Sequence, residues 1–300
     1  MFKRFSLLIL VNMGVMLTIS IVLNILGLGS YINQHGINYE SLMVFCLCWG
    51  MGGSFISLLL SKTLAKWTMK LQIIQGHSST QMEERLYSSV QRLSQAAGLA
   101  KMPEVAIYES PELNAFATGP SRNNSLVAVS TGLLNRMNAD EVEGVLAHEV
   151  SHIANGDMVT MTLVQGIINA FVLFFAKIIA WGVANAMSRD ENESPSYFLV
   201  FAIEIACQIA FSILGSIIVN WFSRFREYKA DAGAAKLVGS QKMIAALQNL
   251  QSNLNIEDPH SKQQEAIASL KISGRSAFME LFSTHPPLAL RIDKLKKFSR

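Results

Sequence analysis

Charged residues are scarce in this chain. Only 16% of its 300 residues are Asp, Glu, Lys or Arg, whereas 50% are hydrophobic. Soluble globular proteins carry roughly 25% charged residues, so the composition favours a membrane protein. The net charge is only +3, and the basic residues lie mostly beside apolar segments instead of forming one patch with interleaved aromatic residues. No nucleic-acid partner is therefore expected.

Cysteine is also rare. The three cysteines, Cys46, Cys48 and Cys207, all fall inside apolar runs. Neither a disulfide framework nor a cysteine zinc site is expected in such surroundings. We interpret these residues as small hydrophobic side chains, which leaves the redox compartment open.

The N-terminal region has no Asp, Glu, Lys or Arg between positions 5 and 39. Its apolar run, residues 5–28, is long enough to cross a bilayer, which takes about 20 residues. A cleaved signal peptide is the alternative, but its apolar core is nearer 7–15 residues, roughly, and ends at a small-residue cleavage site. The sequence therefore favours an uncleaved membrane anchor.

Three further apolar runs predict membrane spans, at about residues 41–60, 159–187 and 197–221. Lys62, Lys66 and Lys70 follow the first of these runs, whereas the loop before it has no lysine or arginine. The positive-inside rule therefore places the lysines and the N-terminus in the cytoplasm. The connector 188–196 is acidic and the segment after residue 222 is basic. Four spans thus return the chain to the cytoplasm.

Lys177 and Glu204 lie within the third and fourth predicted spans. An ionisable residue at membrane depth is a functional candidate by default. Here Lys177 can instead extend towards the headgroups, and Glu204 can face the bundle interior with Lys177 as its partner. Neither residue is assigned a catalytic role.

Soluble character returns between the second and third spans and again after residue 230. In the first region the pattern predicts a helix at 81–97, strands at 105–109 and 125–130, and a helix that starts at an Asn138 cap with Glu141 and ends near Gly156. After residue 230, helical patterns cover 242–254, 265–270, 274–282 and 288–298.

The helix after Asn138 carries His148-Glu149-Val150-Ser151-His152. Two histidines four residues apart project from the same side of a helix, so both can bind one metal ion with Glu149 beside it. The pattern is typical of zinc hydrolases. It also occurs by chance on ordinary helices, so further ligands must decide.

Glu227 is the candidate third ligand. A hydrolytic zinc ion takes three protein ligands and keeps its fourth position for water. The second membrane hairpin returns Glu227 to the same membrane side as His148. Asp231 lies four residues later on the same helix face and could accept a hydrogen bond from the other ring nitrogen of a ligand histidine. A solvated acidic pair, balanced by nearby arginine and lysine, is the alternative.

Together these motifs resemble the HtpX family of bacterial inner-membrane zinc metalloproteases, which are relatives of the CAAX prenyl proteases. The resemblance runs nearly end to end. It covers two N-terminal spans, the two-histidine helix, two central spans, and Glu227 with Asp231. It also includes the segments 114–119 and 284–287.

The resemblance implies one zinc ion per chain, held by His148, His152 and Glu227. It implies that Glu149 is the general base and then the general acid of peptide-bond hydrolysis. Asp231 would accept a hydrogen bond from the other ring nitrogen of a ligand histidine.

The resemblance also suggests roles for three further residues. Asn114 and Ala115 resemble the edge segment on which gluzincin proteases bind substrate backbone, so an extended peptide could add there as a strand. A plain strand and turn is the alternative. His285 precedes two prolines and could stabilise the oxyanion, or it could cap local structure.

The expected fold is mainly α with a small β-sheet, and comprises four transmembrane helices plus a cytoplasmic gluzincin-type metalloprotease domain. The expected parts are an N-terminal transmembrane hairpin, the first part of the catalytic domain, a second transmembrane hairpin and the second part of the catalytic domain, at 1–61, 62–157, 158–222 and 223–300.

The resemblance implies a multi-pass protein of the bacterial inner membrane, with both termini and the active site in the cytoplasm. It implies cleavage of unfolded, misfolded or damaged membrane proteins in stress-related quality control. Self-cleavage is a further hypothesis. The lipid bilayer and such substrate proteins are the expected partners.

Two alternatives remain open at this point. An intramembrane zinc protease uses the same two-histidine motif, but there the motif lies inside an apolar span, whereas charged and polar residues surround it here. A non-enzymatic membrane scaffold with a structural metal site would need a fourth protein ligand, and Glu149 would then have no task.

Overall fold

The computed structural model describes residues 39–76, 80–187, 196–257 and 283–298. Its helices and strands are, in chain order, α1 (Tyr39–Thr68), β1 (Gln72–Ile74), α2 (Gln81–Ala96), β2 (Glu104–Tyr108), β3 (Ala115–Ser121), β4 (Asn124–Ser130), α3 (Thr131–Arg136), α4 (Ala139–Asn155), α5 (Asp157–Met187), α6 (Tyr197–Val238), α7 (Ser240–Glu257) and α8 (Leu288–Phe298). The described part is mainly helical with one small mixed sheet, which confirms this part of the predicted fold. The predicted first span and the helical patterns at 265–270 and 274–282 lie outside the described residues.

Three described helices are long and apolar enough to cross a membrane. Their candidate spans are Leu42–Thr68, Asp157–Ala184 and Tyr197–Val238. The last of these helices, α6, continues without a break well past residue 221, where the sequence placed the end of the fourth span. The residues beyond that point are rich in alanine, lysine and arginine, which are strong helix formers, so the polar segment extends the apolar helix.

The described residues form two compact units. The first unit comprises the described residues up to Leu58 together with Thr160–Val219. The second unit comprises Leu59–Val159 together with the described residues from Asn220 onward. In the first unit Lys177 Nζ lies 2.9 Å from Glu204 Oε1. This is the pairing that the sequence left as one of two possibilities. The amide of Gln208 also donates a hydrogen bond to Glu204 at 3.0 Å.

The sheet of the second unit has the strand order β1-β2-β4-β3. β2 and β4 are parallel, and the two outer pairs are antiparallel. β4 is central and buried from Ser125 to its end, as a continuous run of small and β-branched residues favours. The strands predicted at 105–109 and 125–130 correspond to β2 and β4.

α4 lies inside the hydrophobic core of the second unit. Side chains from three β-strands and five helices surround it, and its own apolar stripe is buried among them. The largest fully buried members are Leu93, Leu133, Leu146, Ile153, Leu247, Leu295, Val90, Val105, Val127, Val129 and Val150. Each such side chain stabilises the fold by about 1.5–3 kcal/mol on burial, so this packing holds α4 firmly in place.

Candidate metal centre

Both ends of α4 have capping contacts that the sequence predicted. The Asn138 side chain accepts a hydrogen bond from the backbone N–H of Glu141 at 3.0 Å, and the Glu141 carboxylate accepts one from the backbone N–H of Asn138 at 3.0 Å. Gly156 ends the helix in the left-handed conformation, with φ 72° and ψ 31°. A residue with a β-carbon is strained there. The chain therefore turns at Gly156 and starts α5 at Asp157.

Three donor side chains meet at the C-terminal half of α4. The Nε2 atoms of His148 and His152 are 3.1 Å apart. The two carboxylate oxygens of Glu227 lie 3.5 Å from His148 Nε2 and 3.2 Å from His152 Nε2. One donor atom from each residue lies within 4.8 Å of the other two. The structure thus brings together the three residues that the sequence proposed as metal ligands.

This donor set suits a tetrahedral metal ion. Ligand atoms at about 2.1 Å from a tetrahedral zinc ion are separated by roughly 3.4 Å, close to the spacing between these three groups. Two imidazoles and one carboxylate are also a ligand set that catalytic zinc sites use. The residues present therefore fit such an ion in both chemistry and spacing.

Each imidazole has a carboxylate at its other ring nitrogen. Asp231 Oδ1 lies 3.0 Å from His148 Nδ1, and Asp157 Oδ2 lies 2.6 Å from His152 Nδ1. In both pairs the ring N–H can donate to the carboxylate, which leaves Nε2 free to bind a metal ion. The sequence proposed Asp231 for this position but missed Asp157. The available signal was an acidic residue placed directly after the helix-ending Gly156.

α6 brings Glu227 and Asp231 against α4. The two carboxylates lie one turn apart on the same helix face and are each 3% exposed. Two residues later, Gly233 allows a close approach: a β-carbon at Gly233 would lie only 2.6 Å from Ser151 Oγ on α4. The two helices can therefore approach closely enough for side chains of both to share one site.

Arg291 of α8 is a component of the site that the sequence reasoning missed. Its Nε and Nη2 atoms donate hydrogen bonds to the two oxygens of Asp231 at 2.8 and 2.6 Å, and its Nη1 lies 3.3 Å from Glu227 Oε2. The residue is only 6% exposed. An arginine among the lysines of a short helix carries no local signal of such burial.

His285 lies at the edge of the cluster. Its Nδ1 is 3.1 Å from Glu227 Oε2, and its side chain is 66% exposed. Ser283 Oγ donates a hydrogen bond to the His285 carbonyl at 2.7 Å, which shapes the turn before the two prolines. His285 is thus both close to the donor cluster and accessible from solvent.

Glu149 lies among the donors but points its carboxylate at β3. Burial raises the pKa of this carboxyl above its ordinary value, and the neighbouring histidines offset part of that increase. The backbone N–H of Ala117 donates a hydrogen bond to it. A raised pKa makes it easier for a carboxyl to hold a proton between accepting and returning it.

The histidine pKa values follow from their carboxylate partners. Burial alone would lower the pKa of His152, but hydrogen bonds to Asp157 and Glu227 outweigh burial and raise it to about 9. Burial likewise lowers the pKa of His148, and its bonds to Asp231 and Glu227 reverse the effect. A metal ion at either Nε2 therefore displaces a proton on binding.

Asn114 and Ala115 lie at the start of β3, one of the two outer strands of the sheet. The Asn114 carbonyl accepts a hydrogen bond from the Ser130 N–H at 2.9 Å, and its N–H donates to Ser130 Oγ at 3.2 Å. Because bonding alternates along an antiparallel pair, the peptide groups of Ala115 point away from β4. Among the described strands, β3 pairs only with β4, so this side of β3 is an open sheet edge.

Comparisons with known proteins agree with this geometry. Residues 80–299 match the model of peptidase family M48. The chain is 51% identical to a protein named "Protease HtpX homolog" from Bacillus licheniformis, over 98% of this chain and 99% of the relative. It is 49% identical to the protein named "Protease HtpX" from Shewanella oneidensis, with the same coverage of both chains.

A solved structure shares the fold. The crystal structure of S. mikatae Ste24p superimposes with a TM-score of 0.64 and 18% sequence identity, covering 98% of this chain and 67% of that chain. At this identity the likeness concerns the fold alone. The family match and the two relatives carry the assignment: this chain belongs to peptidase family M48 and is a membrane metalloprotease of the HtpX type.

Proposed function

We propose that this protein is a zinc endopeptidase that hydrolyses peptide bonds in misfolded or damaged membrane proteins. The single observation that carries the proposal is the cluster of His148, His152 and Glu227, whose donor atoms lie within 4.8 Å of one another, with Glu149 beside them. Three protein ligands that leave one position for water, with a carboxyl beside them to take a proton, suit zinc-dependent hydrolysis.

His148, His152 and Glu227 hold one zinc ion per chain in this proposal. When bound, zinc supplies Lewis-acid activation of water and of the scissile carbonyl. Asp157 and Asp231 orient the two rings through their Nδ1 atoms, and the 2.6 and 3.0 Å distances support that role. The metal-binding nitrogens are thereby directed at Glu227.

Glu149 moves the proton. It takes a proton from the attacking water and later gives it to the leaving amine, so one carboxyl serves as base and then acid. Its raised pKa supports this cycle, because it favours the protonated form that returns the proton. Proton transfer of this kind contributes about 10²–10⁴-fold to a rate.

The substrate backbone binds along β3. The peptide groups of Ala115 point to the open edge, so an extended peptide can pair with them as an added strand beginning near Asn114. Such a strand would present successive carbonyl groups beside Glu149, which already bonds to the Ala117 N–H on the same edge.

His285 stabilises the oxyanion that develops on the scissile carbonyl. Its exposed side chain beside Glu227 supports this assignment, since the imidazole is close to the donors and free to turn towards substrate. A single donor of this kind contributes about 2.7–4 kcal/mol to transition-state stabilisation.

In this proposal the protein crosses a bacterial inner membrane four times, with both termini and the metal centre in the cytoplasm. The basic residues after the second and fourth predicted spans support this orientation. The proposed parts remain 1–61 and 158–222 as transmembrane hairpins, and 62–157 and 223–300 as the two catalytic segments. The names of the relatives support proteolysis. The quality-control role is proposed from the resemblance to the HtpX family.

The proposal is tested with purified full-length protein in detergent, loaded with zinc and given an unfolded membrane protein as substrate. We expect cleavage by the wild type, and a loss of about 10²–10⁴-fold in the Glu149→Gln variant, because the proton acceptor is gone. Zinc content should remain equal to that of the wild type. Wild-type chain, but not Glu149→Gln, should also fragment itself after zinc is added.

Asp140→Asn is the matched control, since it removes a carboxylate from the exposed first turn of the same helix. It should cleave at the wild-type rate. A Glu149→Gln variant that retains zinc and cleaves at an undiminished rate would show that the general-base assignment is wrong. A zinc-loaded wild type that cleaves no unfolded protein would contradict the proposed function as a whole.

A further inference from the structure

Arg291 is a buried cation between two buried carboxylates. It reaches them from α8, a helix that carries none of the proposed zinc ligands. Its side chain contacts Asp231 through two hydrogen bonds and Glu227 through one ion pair. A group in this position either anchors α8 to the rest of the unit or acts on the metal centre.

We infer that Arg291 is a positioning residue of the metal centre: it fixes Asp231, and through Asp231 the ring of His148, in the orientation that zinc binding requires. The inference rests on the proposed function, because it assumes that His148 is a zinc ligand.

The first argument is the geometry of the shared oxygen. Asp231 Oδ1 lies 2.6 Å from Arg291 Nη2 and 3.0 Å from His148 Nδ1, so one carboxylate oxygen contacts both groups. The second oxygen, Oδ2, accepts from Arg291 Nε at 2.8 Å. This two-point contact prevents the carboxylate from rotating. The His148 ring is therefore held with Nε2 directed at Glu227.

The second argument concerns charge. Glu227 and Asp231 are each only 3% exposed, and a buried carboxylate without a cationic partner is strongly disfavoured. The guanidinium of Arg291 is permanently charged and touches both. It keeps two anions close together before a metal ion arrives. A lysine could supply the charge but not the planar fork that grips both oxygens of Asp231.

The third argument separates this role from simple anchoring of α8. Ile292 and Leu295 on the same helix are 5% and 2% exposed and belong to the hydrophobic core of the unit. Burial of two such apolar side chains stabilises the docked helix, so α8 is attached by its apolar face independently of Arg291. The ion pair is thus not needed to dock the helix.

The experiment measures zinc affinity of full-length protein by competition with a chromogenic chelator. Arg291→Gln should bind zinc about 10- to 100-fold more weakly than the wild type, as is usual when the partner behind a metal ligand is lost. Arg291→Lys should recover part of that loss, because it keeps the charge without the fork. Lys296→Gln, which removes a positive charge from the exposed face of the same helix, should bind as the wild type does.

A double-mutant cycle tests whether Arg291 acts through Asp231. Asp231→Asn alone should weaken zinc binding about as much as Arg291→Gln does. The zinc affinity of the double variant should be within about twofold of that of whichever single variant binds zinc more weakly. Losses that multiply in the double variant would overturn the inference. Thermal unfolding of each zinc-free variant shows that the fold is retained.

The outcomes distinguish this inference from the function it rests on. A wild type that binds no zinc would overturn both. A wild type that binds zinc, with Arg291→Gln binding it within about twofold of the same affinity, would overturn the positioning role alone. If Arg291→Gln does not fold, Arg291→Lys decides, and wild-type zinc affinity in that variant would overturn the role.

Discussion

The metal centre has two sides that are built differently. The α4 side is local in sequence: His152 and its carboxylate partner Asp157 are five residues apart. The opposite side is assembled from distant parts of the chain, since Arg291 follows His148 by 143 residues. The two sides nevertheless have the same function, because each places a carboxylate oxygen 2.6 or 3.0 Å from the Nδ1 atom of one imidazole.

The difference shows what each side depends on. The local side needs only a capped helix and the left-handed turn at Gly156, which together bring Asp157 back to His152. The distant side needs α6 and α8 to join the same hydrophobic core as α4, because Asp231 comes from one and Arg291 from the other. Changes on the two sides should therefore affect metal binding alike but stability differently.

The largest effects are expected from single variants that each remove one proposed zinc ligand, one from the local side and one from the distant side. His152→Ala and Glu227→Ala should each weaken zinc binding at least about 300-fold, because one of three donors carries roughly a third of a binding free energy near 10 kcal/mol. Zinc content after gel filtration and cleavage of an unfolded substrate should both fall to background. Equal losses would show that neither side binds zinc alone.

Glu109→Ala, an exposed carboxylate of the same unit, is the control and should keep its zinc. Full zinc occupancy in Glu227→Ala would remove the distant side from the ligand set. In that case the local side would have to bind zinc with a donor other than Glu227.

An intermediate effect is expected when the carboxylate behind each imidazole is neutralised. Asp157→Asn and Asp231→Asn should each weaken zinc binding about 10- to 100-fold, because each ring loses the group that orients it. Asp231→Asn also takes from the buried cation Arg291 the carboxylate to which it donates two hydrogen bonds, and leaves it only the ion pair with Glu227. We therefore expect a further loss of about 1–3 kcal/mol in the stability of the zinc-free protein.

Thermal unfolding of the two zinc-free variants in detergent measures this difference. A clearly lower transition temperature for Asp231→Asn than for Asp157→Asn is the expected result. Identical transition temperatures would mean that the distant side is no more dependent on tertiary packing than the local one.

The smallest effect is expected at the turn of the local side. Gly156→Ala places a β-carbon at φ 72°, which costs about 1–2 kcal/mol in the left-handed region. Arg122 is the nearest neighbour, and its flexible side chain can move away. The strain falls on the turn that positions Asp157. The turn shifts to relieve part of this strain and moves Asp157 relative to His152. We therefore expect zinc binding to weaken a few-fold.

Gly98→Ala is the matched control, since Gly98 has φ 70° with open space around it and ends α2 away from the site. It should lower the transition temperature as Gly156→Ala does, with no change in zinc affinity. Weaker zinc binding in both variants would mean that the effect comes from general destabilisation.

The pieces of the fold that sequence reasoning predicted are those with strong local signals. α2, α4, β2 and β4 have regular apolar spacing or capping residues, and their positions agree closely with prediction. β3 was not among the strands predicted from the residue pattern, and only the resemblance suggested an edge segment at Asn114 and Ala115; its strand form depends on pairing with β4. β1 has only three residues and likewise exists through its partner.

The site divides in the same way. The five residues around Glu149 indicated metal chemistry because helical spacing alone aligns the two histidines. Asp231 was predictable from its spacing to Glu227, whereas no local pattern marks Arg291. Its role depends on which acidic residues lie opposite when α8 docks, and that is a property of packing between distant segments.

The sequence by itself determined the apolar helices, the capped helix of α4 and the set of residues able to bind a metal ion, because these depend on composition and on periods of a few residues. Only the tertiary structure decided that Glu227 completes the donor triangle, that both imidazoles have carboxylates behind them, and that Arg291 joins Asp231 to the site. Such contacts arise where buried charges from distant segments must find partners, since an unpaired charge in the interior is too costly to keep.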